Sequence, residues 1–123
     1  MVNKNNSKAT AKTKKYIPEK GDFIWVEFNP TKGHEQSGYR PAIVITPYEN
    51  NSVTGLAVVC PITSKVKKYI FEVAFNSTEI SGAILVDQLR SIDIKNRKIK
   101  FIEKASNKTI ADTVGKALAL IGS

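Results

Sequence analysis

Short apolar runs of strand length, each bounded by turn residues, constrain the fold of this chain more than any other feature. They lie at residues 22–28, 40–46, 56–62, 69–75, 83–86, 89–94 and 98–102. Because strand-like runs do not alternate with helical segments, the pattern argues against a parallel, doubly wound sheet. We expect a mainly β fold, a small and strongly bent antiparallel sheet or half-open barrel, capped by a C-terminal helix.

The segments between these runs have the polar composition of turns. Residues 47–55 and 95–97 are predicted turns, and the second is expected to join the last two strands as a pair. A helical turn is predicted within residues 76–82. Apolar residues recur at helical spacing near the C-terminus: Ile110, Val114, Leu118 and Ile121. The predicted N-cap of this helix is Ser106 or Asn107.

The length of 123 residues, with 41% hydrophobic and 24% charged residues, indicates one soluble domain. The longest apolar runs are too short to span a bilayer, and the N-terminus lacks the apolar segment of a secretory signal. One cysteine, Cys60, excludes an internal disulfide and a multi-cysteine zinc site. It lies within an apolar run and is interpreted as a core residue. We expect a cytoplasmic protein with no metal and no cofactor.

Most of the excess positive charge lies at the N-terminus. The net charge is +8, and residues 1–20, with six lysines and one glutamate, contribute +5 of it. Residues 1–15 are predicted to be a flexible, lysine-rich tail, and residues 16–123 a single domain. The tail is either a solvated extension or a nonspecific electrostatic arm for nucleic acid. The overall charge suggests a polyanionic partner.

The stretch NPTKGHEQSGYRP, residues 29–41, is the richest in groups capable of chemistry. It contains the only histidine, His34, beside Glu35, a candidate general base. Arg40, at the junction with the next strand, is suited to bind a phosphate, because its planar guanidinium donates two hydrogen bonds at once. A plain solvated connection has the same composition, so both interpretations stay open on composition alone.

Other polar residues also have both a chemical and a structural interpretation. Thr63 and Ser64 follow a buried strand, where hydroxyls either bind a phosphate oxygen or end the strand as an ordinary polar pair. Asp87 and Gln88 interrupt an apolar run, and the carboxylate is either a turn former or directed into a pocket. Arg97 belongs to a basic cluster that is either a solvated turn or a phosphate track.

The stretch PEKGDFIWVEFNPTKGHEQSGYRPAIVITP resembles the opening of the MazF/PemK family of toxin endoribonucleases. The resemblance continues through N-x-x-T-G, P-x-T-S, F-E-V and D-Q-x-x-S-I-D to a helix ending in L-I-G, and it covers about residues 16–122. It implies an SH3-like bent barrel of the CcdB/PemK/MazF type that forms a symmetric homodimer. It also implies a sequence-specific, metal-independent endoribonuclease that cleaves single-stranded RNA, mainly mRNA, and thereby inhibits translation and growth. An antitoxin neutralises such toxins by folding a disordered acidic segment over the RNA groove.

By matched position, the resemblance implies a catalytic set of Glu35 as base, Arg40 as phosphate clamp and Thr63 as hydrogen-bond donor. The substrate's own 2′-hydroxyl would attack, giving 2′,3′-cyclic phosphate and 5′-hydroxyl ends. In PemK-like members a carboxylate matching Asp87 is the base, with an arginine two residues upstream as acid. That upstream residue here is Leu85, which favours the first scheme. The implied RNA-binding residues are His34, Gln36, Ser64, Asp87, Gln88 and Arg97.

Two other functions remain open from the sequence. A related toxin family shares this fold but inhibits DNA gyrase by binding it, without catalysis. An RNA-binding barrel without catalysis is the other alternative. The set of Glu35, Arg40 and Thr63 favours RNA cleavage over both.

Overall fold

The computed structural model describes residues 15–28 and 38–122. In chain order these contain β1 (Asp22–Glu27), β2 (Tyr39–Val44), α1 (Tyr48–Thr54), β3 (Leu56–Thr63), β4 (Glu72–Asn76), β5 (Ser81–Leu85), β6 (Arg90–Asp93), β7 (Ile99–Lys104) and α2 (Asn107–Gly122). A 3₁₀ turn, Val86–Gln88, links β5 to β6. Except for Lys15, the predicted lysine-rich tail lies outside the described residues.

The strands form one antiparallel sheet in the order β4–β5–β3–β2–β1–β7, and β6 also pairs with β3. The eight-residue β3 allows the sheet to curl, because its two halves have different partners on one edge. Residues Leu56–Val59 pair with β6, whereas Ile62 and Thr63 pair with β5. The chain passes between these two partners through the 3₁₀ turn. The predicted bent antiparallel half-barrel with a C-terminal helix is therefore confirmed.

The predicted pairing of the last two strands is wrong. β6 pairs with β3, and β7 pairs with β1 at the other side of the sheet. The Asp93 carboxylate accepts the backbone N–H groups of Lys95 (2.9 Å) and Asn96 (3.2 Å), which turns the chain away from β6. The Arg97 side chain then binds carbonyls at the end of β1, so the chain continues along β1 instead of folding back.

The predicted turn at residues 47–55 is instead α1. Its polar residues resemble a turn in sequence, but Asn51 is fully buried and stabilises the helix through tertiary contacts. The Asn51 amide donates to the carbonyls of Pro18 (2.9 Å) and Thr46 (3.0 Å). Gly55 ends the helix in the left-handed conformation, with φ 74°, which glycine adopts without steric cost.

The helical turn predicted within residues 76–82 is also wrong. This segment is the connection of the β4–β5 hairpin, whose last paired residues are Asn76 and Ser81. The Ser77 N–H donates to the Ile80 carbonyl at 3.0 Å, which closes a tight turn between the strands. The apolar runs on either side pair locally, and this leaves no room for a helix.

Buried apolar residues form two clusters on opposite faces of the curled sheet, as the alternation of side chains along a strand requires. The first cluster contains Phe23, Cys60 and Ile84 and is covered by α2, whereas the second contains Ile24, Val26 and Phe28 and lies inside the curl. Among the described residues no helix is long and apolar enough to cross a membrane.

The C-terminal helix forms where helical periodicity predicts it, and Ser106 is its N-cap, since its Oγ accepts the Thr109 N–H at 3.1 Å. Its buried face differs in part from the prediction. Thr113 and Ala117 are buried, whereas Leu118 is 64% and Ile121 72% exposed. α2 contacts β4 and the 3₁₀ turn.

Candidate active site

The loop predicted to contain His34, Glu35 and Gln36 lies outside the described residues, but both of its ends are defined. Phe28 and Gly38 flank it, and the Phe28 N–H donates to the Gly38 carbonyl at 2.9 Å. Because β1 and β2 pair up to this point, the loop begins and ends at one end of a β-hairpin.

Arg97 holds the base of this loop. Its Nη1 donates to the Glu27 carbonyl at 2.9 Å and to the Phe28 carbonyl at 2.5 Å. The Glu27 N–H in turn donates to the Lys98 carbonyl at 3.1 Å. The sequence predicted Arg97 as an RNA contact, but in the described structure its Nη1 is bound to the backbone.

Arg90 is a candidate site residue that the sequence analysis missed. Its guanidinium carbon lies 5.0 Å from the centroid of the Phe28 ring, a cation–π contact with the residue that follows β1. Arg90 lies on β6 and Phe28 follows β1, so no local sequence pattern links them. In the sequence, Arg90 is only a basic residue two positions after Gln88, and this does not distinguish it from an ordinary surface arginine.

Arg40 and Thr63 lie on the same face of the sheet. Ala42 pairs with Pro61, where the pairing of β2 with β3 ends. Arg40 and Thr63 each lie two residues along their strand from this pair, and alternation of side chains along a strand places both on the face of that pair. Directly opposite residues of an antiparallel pair have their side chains on one face. Arg90 is opposite Val59 on β3, so it shares this face as well.

Thr63 also lines a cleft together with two of the other predicted residues, Asp87 and Gln88. The cleft has a volume of about 250 Å³. Its remaining lining residues come from the connection between β3 and β4 and from the strands beside it: Lys65, Lys67, Tyr69, Glu72 and Leu85. The Thr63 Oγ1 accepts the Lys65 N–H at 3.1 Å, so its hydroxyl hydrogen is free to donate to an anion. Ser64 is exposed beside this cleft.

Cys60 is a buried core residue, as predicted, and not a nucleophile. Burial, and secondarily the negative charge of Asp87, raise the pKa of the Cys60 thiol to about 12. The thiol is therefore neutral at physiological pH, and only the thiolate is a strong nucleophile. Within residues 15–28 and 38–122 no cluster of three metal-ligating side chains occurs.

Chemically, this end of the sheet is suited to an anion. Two guanidinium groups, Arg40 and Arg90, and the Thr63 hydroxyl share one face, and Asp87 supplies a carboxylate in the adjoining cleft. Guanidinium groups bind phosphate oxygens through paired charge-assisted hydrogen bonds. Such a set fits the phosphodiester backbone of a nucleic acid.

Comparison with known proteins shows the family of the chain. Residues 19–121 match the model of the PemK-like, MazF-like toxins of type II toxin–antitoxin systems. The chain belongs to this family. The endoribonuclease toxin MazF of Escherichia coli K12 is 47% identical to it over 78 residues, which are 63% of this chain and 70% of that protein.

Solved structures of MazF-type proteins have the same fold. MazF from Deinococcus radiodurans superposes with a TM-score of 0.77 at 40% identity, covering 89% of this chain and all of that one. The MazE–MazF complex from the same organism gives 0.77 at 36% identity, over 88% of this chain and 98% of the matched chain. The family and the fold predicted from the sequence are thus confirmed.

Proposed function

We propose that this MazF/PemK-family chain is a sequence-specific endoribonuclease toxin that cleaves single-stranded RNA, mainly mRNA, and so stops translation and growth. The observation that supports this most is the shared face of Arg40 and Thr63 beside the base of the loop that contains Glu35. The name of the Escherichia coli relative given above, an endoribonuclease toxin, points the same way.

The proposed chemistry needs a base, a phosphate clamp and a substrate that supplies its own nucleophile. Glu35 takes the proton of the 2′-hydroxyl, whose oxygen attacks the adjacent phosphorus. Arg40 donates hydrogen bonds to the non-bridging oxygens as negative charge builds on them, and the Thr63 hydroxyl donates another. The P–O5′ bond breaks, and the 5′-oxygen takes a proton from water as it leaves, which balances the proton that Glu35 accepted. The products are a 2′,3′-cyclic phosphate and a 5′-hydroxyl, and DNA is not cleaved because it lacks the 2′-hydroxyl.

The PemK-like alternative, with Asp87 as base, is less well supported. The residue two positions before Asp87 is Leu85, which lines the same cleft and has no proton to donate. We therefore assign Asp87 and Gln88 to RNA binding, along with His34, Gln36 and Ser64. A carboxylate and a guanidinium that flank the phosphate suffice for this reaction, so we propose that it needs neither metal nor cofactor.

We also propose a symmetric homodimer and an antitoxin whose acidic segment covers the RNA-binding face. The exposed apolar side chains Leu118 and Ile121 on α2 fit a contact with a second chain, and the net charge of +8 fits an acidic partner. The MazE–MazF complex of Deinococcus radiodurans supports an antitoxin as partner. Such a toxin acts on mRNA, so we place it in the cytoplasm.

A cleavage assay with a defined single-stranded RNA in excess EDTA tests the proposed function. We expect wild type to give 2′,3′-cyclic phosphate ends and Arg40→Ala to lose cleavage while staying folded. Lys100→Ala removes the same charge from β7 and should keep the cleavage activity. Recovery of activity only with a divalent ion would contradict the metal-free chemistry. Inhibition of DNA gyrase supercoiling without RNA cleavage would instead support the noncatalytic alternative.

A further inference from the structure

Glu72, the first residue of β4, is a buried carboxylate to which the proposed chemistry gives no role. The residue is only 8% exposed. Its Oε1 accepts three successive backbone N–H groups, from Lys67 at 3.0 Å, from Lys68, and from Tyr69 at 3.3 Å. The Glu72 N–H donates back to the Tyr69 carbonyl at 3.1 Å. Hydrogen bonds to an ionised acceptor are stronger than neutral ones, so this carboxylate is a firm anchor for the chain.

This anchor determines the shape of the loop between β3 and β4. Lys68 has φ 62°, the left-handed conformation that residues with a side chain rarely adopt. The hydrogen bonds that the Glu72 carboxylate accepts from Lys68 and its two neighbours offset that cost. At the other end of the loop, the Lys65 N–H is bound to Thr63 Oγ1 at 3.1 Å. Both ends of the loop are therefore held, one by Thr63 and one by Glu72.

The loop held in this way forms one wall of the cleft that contains Thr63. Lys65, Lys67 and Tyr69 line the cleft on this side, and the 3₁₀ turn with Asp87 lines the other. Tyr69 is 63% exposed, and the Lys67 ammonium lies 6.0 Å from the centroid of its ring. An exposed aromatic ring between lysines combines stacking for a base with positive charge for phosphates, as in proteins that bind single-stranded nucleic acids.

We propose that Glu72 is a positioning residue that determines which RNA sequence the toxin accepts. By holding the Lys65–Tyr69 wall in one conformation, it sets the width of the cleft for the nucleotide next to the phosphate at Thr63. Asp87 is available for hydrogen bonds to the edge of that base. This inference rests on the proposed RNA cleavage. When the anchor is lost, the wall relaxes, and the cleft accepts bases that wild type rejects.

The substitution Glu72→Gln tests this inference, because glutamine keeps the length and one acceptor oxygen but loses the charge. For a preferred RNA and for RNAs with one altered base, kcat/KM is compared between wild type, Glu72→Gln and Glu72→Ala. We expect the ratio between preferred and altered RNA to fall by roughly tenfold in Glu72→Ala, the equivalent of one charge-assisted hydrogen bond. Glu72→Gln is expected to lie between Glu72→Ala and wild type.

Two control variants separate positioning from plain structural support. Glu103→Gln removes the same charge from a carboxylate that accepts the Glu79 N–H at 2.8 Å. Glu103 does not line the cleft, so this substitution should leave the ratio between preferred and altered RNA unchanged. Lys68→Gly should also keep the wild-type ratio, since glycine adopts the positive φ without strain. Wild-type discrimination in Glu72→Gln and Glu72→Ala would overturn the inference, as would an equal loss of cleavage on every RNA. A wild type without any RNA cleavage would instead refute the proposed function itself.

Discussion

Replacing Arg97 with alanine removes the two hydrogen bonds that hold the base of the Glu35 loop. These join Nη1 to the Glu27 carbonyl at 2.9 Å and to the Phe28 carbonyl at 2.5 Å. Hydrogen bonds from a charged donor contribute about 1.5–3 kcal/mol each. Arg97 is only half-buried, and water replaces part of each bond, so we take about 2 kcal/mol for the pair. A loop base weakened by that amount lowers the equilibrium constant for the catalytic conformation by roughly 30-fold, so the fraction of molecules in that conformation falls by at most this factor.

Cleavage kinetics and RNA binding must be measured separately to test this effect. We expect kcat of Arg97→Ala to fall by up to about 30-fold, with the Kd for a non-cleavable, 2′-deoxy-substituted RNA changing by only about twofold. Arg97→Lys keeps the charge and one or two donors and should lose less activity. Lys98→Ala removes the same charge from the neighbouring residue, whose side chain is exposed, and serves as the matched control.

A different result would refute the anchoring role. If Arg97 binds RNA directly, as the sequence predicted, Arg97→Ala would weaken RNA binding and leave kcat close to wild type. The dependence of Kd on salt would then also become less steep in Arg97→Ala, because one phosphate contact is lost. An unchanged salt dependence together with a lower kcat supports the anchor.

Four further substitutions test stability, measured by urea unfolding. Asn51→Ala should cost about 2–4 kcal/mol, because the buried carbonyls that its amide binds lose their donors; a cost below 1 kcal/mol would contradict this. Gly82→Ala should destabilise the fold by more than about 2 kcal/mol, because the new Cβ would lie 2.2 Å from the Thr63 carbonyl oxygen and the residue has a φ of 145°. Gly115→Ala should stabilise α2 by up to about 1 kcal/mol, because the space around Gly115 is open. Cys60 has its pKa raised from 9.0 to about 12, so its contribution to stability is full below pH 9 and is lost as the pH rises towards 12. Cys60→Ala should therefore lose less stability than wild type over that interval.

The strands and the final helix could be predicted from the sequence because their signals are local. Alternating apolar residues and helical spacing reflect which face of each element is buried. Residues 22–28 clearly show the strand alternation, and residues 106–121 clearly show the helical spacing. The strands with which β6 and β7 pair could not be predicted in this way. It depends on the Asp93 turn and on the contact of Arg97 with β1, which join residues far apart in the chain. The helix α1 depends likewise on the buried amide of Asn51.

The candidate site was predictable where local residue chemistry marks it. Arg40, Thr63, Asp87 and Gln88 were candidates as polar residues beside predicted strands, the family resemblance assigned their roles, and these roles remain predictions. Arg90 contacts a ring and Glu72 contacts backbone amides outside their own strands, and no single-sequence pattern reports such contacts.

The central claim is that the 2′-hydroxyl of the RNA attacks the phosphate held by Arg40. It is tested most directly by single-turnover cleavage of two RNAs that differ by one 2′-deoxy substitution at the scissile nucleotide, both in EDTA. Our account predicts that wild type cleaves the all-ribose RNA to a 2′,3′-cyclic phosphate and leaves the substituted RNA intact. Cleavage of both RNAs at similar rates would contradict the account.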